Sequence, residues 1–432
     1  MLIENKNKNN GEKAQISLRQ SSTFGVPTAT GVDLSNVLNG APYEQFRKEV
    51  ALDIRRSRGT FFTAPLLAER TARELISRTG ITSKVVDPCV GMGDLLLAYA
   101  RHLPIRSKIE DTLADWGEVL HGMDVCADLA LTARLRLKAL ALYRHGLRHN
   151  KLRILGEFPN IKVGDFFDNV ETLAEYPAIF INPPFQQART KERLSWSSGQ
   201  VSMAAVFLSK LLEHVSSSTS VMAILPEVLR CGSRYTKFRE HIASLGFGGN
   251  YTSHGRFDQH ADVDVFSTLL SRDEFSGVWA PATRNHEQRV ISDKFEVRIG
   301  TVVPHRAKNK GAWRKYICAK SVPLAAESFE PQSSIRFTGT VFDAPFIVLR
   351  RTSGPSDKRR SKPTTIFSDG PVAVENHLVV LLPKDRENGL SNCHAACRVL
   401  RNDRTQNYLN AQMRCRHLTK AVVENIPWSH ND

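Results

Sequence analysis

Apolar residues along this chain come in two textures. From about residue 43 to 275, short apolar runs alternate with stretches whose apolar positions recur every three or four residues. The short runs predict strands over 84–87, 119–124, 161–164, 178–182, 220–225, 247–251 and 263–270. Helical patterns separate most of them, such as Leu129 to Tyr143, Met203 to His214, and a LLAERTARELI segment opened by Thr63 and Pro65. Strands alternating with helices predict a parallel, doubly wound α/β sheet. The last two strands have no helix between them and predict a closing antiparallel hairpin. After about Ser276 the runs EVRIGTVVP, PFIVLRR and HLVVLLP are broken by Pro, Gly and Ser, and a helical pattern closes over 391–412. That texture predicts a second domain, α+β, over 276–432. Residues 1–42 are rich in Asn, Lys, Ser, Thr and Gly with few apolar anchors, which predicts a mobile tail ahead of a 43–275 domain.

Two of the predicted strands end abruptly in turn-forming residues: Val85-Val86-Asp87-Pro88-Cys89-Val90-Gly91-Met92-Gly93-Asp94 and Ala178-Ile179-Phe180-Ile181-Asn182-Pro183-Pro184-Phe185. Ligands of parallel α/β sheets sit at such ends. Gly91 and Gly93 allow a ligand to approach the backbone closely. A nicotinamide turn is disfavoured, because Leu96 replaces the third glycine and Asp-Pro-Cys precedes the first. The next strand ends in Asp124, placed to accept bonds from ribose hydroxyls, and the third in Asp165-Phe166, placed to accept from an adenine amino group and to pack on its ring.

Asn-Pro-Pro-Phe has its own chemical logic. The nitrogen of a conjugated amine is a poor nucleophile until acceptors draw its hydrogens out of plane. The Asn182 side-chain oxygen and the Pro183 carbonyl supply two acceptors, Pro183 and Pro184 stiffen the turn that aims them, and Phe185 offers a face for a planar base. No strong general base is required, since a sulfonium is a good leaving group.

With these motifs the chain resembles the gamma-class adenine-specific DNA methyltransferases, which include type I modification subunits and single-chain type II enzymes, over about residues 55–430. The resemblance implies an S-adenosylmethionine-dependent methyltransferase with a Rossmann-like seven-stranded sheet and a C-terminal α+β target-recognition domain. It implies that Phe61, Phe62 and Thr63 cover the methionine part of the cofactor, with Ala64 inserted before Pro65 relative to the family's F-x-T-P. Asp87, Pro88, Cys89, Gly91 and Gly93 match the methionine-binding motif, Asp124 the ribose acid, and Asp165 and Phe166 the adenine pair. Phe257 matches the aromatic that touches a flipped base from its edge. VRIGTVVPHR, NHLVVLLP and RHLTKAVVENIPW look similar to the recognition domain. The implied partners are double-stranded DNA, read by base flipping, and a restriction or specificity subunit.

Charge adds a location. The net charge is +15, and residues 276–432 hold 25 Lys and Arg against 14 Asp and Glu, so +11 of it lies there. A basic surplus of this kind fits a polyanion. In SGPSDKRRSKP, residues 353–363, Lys358, Arg359 and Arg360 are the candidate DNA contacts. The polar stretch 186–200 is a candidate lid over a flipped strand. Cys393, Cys397, Cys415 and His417 lack a compelling zinc spacing, so no metal is predicted. Seven scattered cysteines, no apolar signal core and no membrane-length apolar run predict a cytoplasmic protein without membrane contact. Two rivals stay open: an RNA methyltransferase acting on a guanine exocyclic amine, and a non-catalytic DNA-binding specificity subunit.

Overall fold

The structure is a computed structural model that describes residues 32–428 apart from 60–61, 82, 151, 190–193, 198, 258–262, 273–278, 280–288, 305–309, 354–356, 358 and 413–417. The chain divides into two compact units, Met1–Ala280 and Pro281–Asp432.

The first unit is built on seven strands: β1 (Val85–Asp87), β2 (Leu120–Asp124), β3 (Ile161–Val163), β4 (Ala178–Ile181), β5 (Ser220–Pro226), β6 (Tyr251–Arg256) and β7 (Asp264–Leu270). Their order in the sheet is β6-β7-β5-β4-β1-β2-β3. The four pairs from β5 to β3 are parallel, and β7 is antiparallel to both β5 and β6. Both faces are covered, which is why these strands read as continuous apolar runs. Val85, Ala178, Phe180, Met222 and Ile224 point into one core; Val86, Ile179, Ile181, Val221, Ala223 and Leu225 point into the other. Each large apolar side chain so buried contributes roughly 1.5–3 kcal/mol. Helices α2 (Pro65–Thr79), α3 (Asp94–Ala100), α4 (Ile109–Val119) and α5 (Ala127–Arg144) supply the first core, and α6 (Met203–His214) and α7 (Thr236–Ser244) the second. A short α1 (Ala41–Glu49) precedes them.

Four expectations change. Residues 32–42 do not belong to a tail: Val32–Asp33 pairs with His149–Asn150, and Leu34, Val37 and Leu38 are buried in the first core. Their i, i+3, i+4 spacing was hidden among Ser, Asn and Asp. The sixth strand starts at Tyr251, not Phe247, because an edge strand with one covered face needs no apolar run. Thr63 does not cap α2; Ala64 holds that position, Pro65 follows at N1, and Thr63 turns inward. The first unit also extends beyond residue 275, since Trp279 is buried against Phe238 and Phe266.

The second unit has strands β8 (Phe295–Ile299), β9 (Ala312–Ile317), β10 (Ser333–Phe337), β11 (Phe346–Arg350), β12 (Thr364–Ile366), β13 (Val372–Val374) and β14 (Leu378–Pro383). They form a four-stranded sheet, β8-β14-β11-β12, and a three-stranded sheet, β10-β9-β13. Helices α8 (Gly389–Arg401), α9 (Asp403–Gln412) and α10 (Lys420–Glu424) complete it. The predicted 391–412 helix is two helices, broken at Asn402, whose side chain caps the second by accepting from the Arg404 N–H at 2.8 Å. The α+β character is as expected. No helix among the described residues is long and apolar enough to cross a membrane.

Candidate active site

The carboxyl ends of β1, β2 and β3 deliver three acids to one place. Asp87, 2% exposed, accepts from the Cys89 N–H at 3.0 Å. Asp124 accepts from the Gly91 N–H (3.0 Å) and the Cys126 N–H (2.9 Å), which ties the glycine loop to β2. Asp165 accepts from the Phe167 N–H at 2.9 Å and so caps the short Phe166–Asn169 helix. All three act electrostatically on Cys89, whose thiol is pushed well up by burial and then by Asp87, Asp124 and Asp165. Among the described residues none of the three has a cationic partner. Burial raises the Asp87 carboxyl to about 7, with Asp124 adding to the shift, and burial raises Asp124 as well.

The glycine loop is held close to its helix. Gly93 has φ +81° and caps α3, and a Cβ there would lie 3.0 Å from that of Ala133 on α5. Gly91 faces the Phe62 ring, which packs against Tyr43 (centroids 5.3 Å apart) and edge-on against Phe46 (4.9 Å). Sequence reasoning missed Tyr43 and Phe46, because they lie ahead of the strand-end motifs and belong to none of them. It also missed Asp94 and Arg136. Their buried ion pair (2.8 Å) accepts a bond from the Tyr43 hydroxyl at Asp94, and Asp94 accepts from the Thr63 backbone N–H too. Arg136 further donates to the Met92 carbonyl at 2.7 Å.

At the end of β4, the Asn182 Nδ2 donates to Thr63 Oγ1 at 2.8 Å. That bond fixes the orientation of the amide, whose other terminal atom, Oδ1, is an acceptor. Pro183 is buried and Pro184 and Phe185 are half-buried. Phe185 meets Phe257 edge-on, centroids 5.4 Å apart at 65°. Behind Phe257, β6 carries a bulge between Ser253 and Gly255, a device that re-aims the side chains beyond it. Ser253 donates to Glu227, which pairs with Arg230 at 2.7 Å, both fully buried; the Arg230 guanidinium lies 4.3 Å from the Tyr251 ring centre. Gly59, at φ +64°, presses on the tetrad: a Cβ there would lie 2.9 Å from the Phe185 nitrogen.

Other candidates are placed less simply. Phe166 is 3% exposed and stacked on Phe207 (4.6 Å), so little of its ring is left for a ligand. Val125, one residue past Asp124, is by contrast 69% exposed, an apolar surface at the site that no motif flagged. Within the predicted lid, Gln187–Arg189 pairs antiparallel with Gln200–Ser202, and Trp196 packs on Phe238 and donates to Ser209. Arg359 is tied to Asp403 (3.0 Å) and the Arg401 carbonyl, and the Arg360 N–H donates to Gln406. Cys393 and Cys397 are buried, and the described residues hold no metal-ligand cluster. Phe61, Lys358, Cys415 and His417 lie outside the described residues.

No family model matches the chain, and no curated protein matches it in sequence. Solved structures do. The type IIL restriction-modification enzyme MmeI, in complex with DNA, matches over 90% of this chain and 69% of its own at 11% identity, with a TM-score of 0.51. The type IIG restriction endonuclease BpuSI matches over 90% of this chain at 13% identity and TM-score 0.47, and the chain spans 61% of its length. A type I restriction-modification methyltransferase subunit from Streptococcus thermophilus covers 56% of this chain and 50% of its own at 14% identity, TM-score 0.36. The fold seen here, with its mainly parallel seven-stranded sheet in the first unit, is thus similar to that of MmeI. At these identities the likeness is one of fold.

Proposed function

We propose that the chain transfers a methyl group from S-adenosylmethionine to the exocyclic amine of adenine in duplex DNA, as the modification activity of a restriction-modification system. The observation that carries this reading is the Asn182 amide, whose nitrogen is bound to Thr63 so that its oxygen remains to accept from an amine. The fold shared with MmeI, a restriction-modification enzyme solved with DNA, supports the choice of substrate.

The donor set fits the cofactor. Three carboxylates without cations suit a ligand carrying a sulfonium and an ammonium group; Asp87 would face the methionine end, Asp124 the ribose and Val125 the base. When bound, the cofactor supplies an activated methyl group. The chain's own residues hold the acceptor: Asn182 Oδ1 and the Pro183 carbonyl take the two amine hydrogens, Phe185 covers the base face and Phe257 its edge. Because that amine is out of reach inside a duplex, the base is flipped. A restriction or specificity subunit is a further partner of such a chain.

The test is to incubate the protein with methyl-labelled cofactor and either duplex DNA or RNA, digest to nucleosides and identify the labelled one. Label in deoxyadenosine is expected. Label in guanosine, or in RNA alone, points to the RNA enzyme, and no label with intact DNA binding points to a specificity subunit.

A further inference from the structure

Of the five tryptophans in the chain, Trp116, Trp196, Trp279 and Trp428 are buried, while Trp313 is 68% exposed. It stands on β9 directly opposite Arg336 of β10, so the two share a face of the ribbon, and the Arg336 Nε donates to the Gly311 carbonyl at 3.0 Å. β13 pairs only with Lys315–Ile317, so Ala312–Arg314 and their partners Ile335–Phe337 form a two-stranded ribbon beyond the three-stranded sheet. Its far end shares a face with Ile317, Val372 and Val374, which are core residues. The ribbon is therefore anchored at one end and bare at the other.

Cations on the ribbon are poor in partners. Lys310 and Arg314 have no acidic partner among the described residues, nor has Arg336, and Lys315 lies 3.9 Å from Glu330 while donating to the Pro331 carbonyl at 3.5 Å. The loop 353–363 differs: Arg359 is paired with Asp403 and Lys362 with Asp357 (2.6 Å). Unpaired cations on both sides of an exposed indole match a polyanion of stacked bases better than cations already neutralised within the fold. A two-stranded ribbon also fits the major groove of B-form DNA, about 12 Å wide.

We infer that the β9–β10 ribbon is a duplex-DNA contact, with Lys310, Arg314 and Arg336 on phosphates and Trp313 against the groove. The assignment rests on the reading of the chain as a DNA methyltransferase, and names the part of the basic unit that meets the substrate.

The experiment uses the full chain and Trp313 as its own reporter. Acrylamide quenching of intrinsic fluorescence senses mainly the exposed tryptophan; binding is followed separately, by anisotropy of a labelled duplex. The inference expects duplex DNA to protect the quenchable component and Trp313→Phe to abolish that component. It expects Arg314→Gln with Arg336→Gln to weaken binding about tenfold or more at ~0.15 M salt and to lower the salt slope by about two. Cofactor binding should be unchanged in both variants. Duplex binding without protection, or with the double variant at wild-type affinity and slope, overturns the ribbon and leaves the methyltransferase reading standing. Stronger protection by single-stranded RNA overturns the duplex assignment. Absence of any duplex binding overturns that reading and the ribbon with it.

Discussion

At the ends of β1, β2 and β3 three carboxylates converge without a cation among the described residues, whereas at the ends of β4, β5 and β6 the groups are a neutral amide, two prolines and an edge-to-face aromatic pair, with Glu227 already matched by Arg230. One half of the site holds uncompensated negative charge and the other has none to offer. Leaving Asp87 buried among acids is costly, as its carboxyl at about 7 records. A cationic ligand offsets that cost; a planar neutral base needs only acceptors and faces. Under the proposed function, the comparison divides the labour between binding at one end and chemistry at the other.

The sharpest way to break the division is Asn182→Ala. Removing an acceptor that acts on the reacting amine should lower methyl transfer by about 10²–10³-fold, with cofactor affinity nearly unchanged. Single-turnover rates and calorimetric cofactor titration measure the two separately. Equal losses in both would place Asn182 in the cofactor site.

Asp87→Asn addresses the other end. Losing a charged acceptor should weaken cofactor binding by about tenfold to a hundredfold. The wild type should also show a pH signature. A carboxyl raised from 3.8 to about 7 in the folded state stabilises the ligand-free protein below pH ~4, and that stability is lost as pH rises through 7. Cofactor affinity has the opposite trend, because the ionised form attracts a cation: it should rise up to about pH 7 and then level off, with proton release on binding. A flat profile in Asp87→Asn and a sloping one in the wild type is the expected pair of results.

Thr63 joins the two ends, since its backbone N–H reaches Asp94 and its hydroxyl reaches Asn182. Thr63→Val should lower the transfer rate up to about tenfold, the worth of one neutral hydrogen bond, and Thr63→Ser should restore it. The smallest effect is expected for Arg359→Ala. Its guanidinium is already neutralised by Asp403, so it has little charge to offer a phosphate and DNA affinity should change by under about threefold. A large loss there would return the DNA contact to the 353–363 loop.

The parallel sheet was legible because both its faces are buried, and period-2 burial on two faces leaves an unbroken apolar run such as Ala178–Ile181. Strand ends were legible for a related reason: Asp87, Asp124 and Asn182 interrupt those runs abruptly. What stayed hidden depends on contacts distant in sequence. Arg136 reads as one more basic residue on a helix until Asp94 is seen 2.8 Å away. Phe166 sits at the expected strand end but is stacked on Phe207. The 353–363 loop looked like free charge because Asp403, its partner, lies in another helix.

The division of labour is tested most directly by placing Asp87→Asn and Asn182→Ala side by side, measuring cofactor affinity and single-turnover methyl transfer to duplex DNA at saturating cofactor. The account predicts crossed losses: Asp87→Asn loses affinity and recovers most of its rate when saturated, and Asn182→Ala binds normally yet stays slow. Parallel losses, with both variants impaired in both measurements, would contradict it.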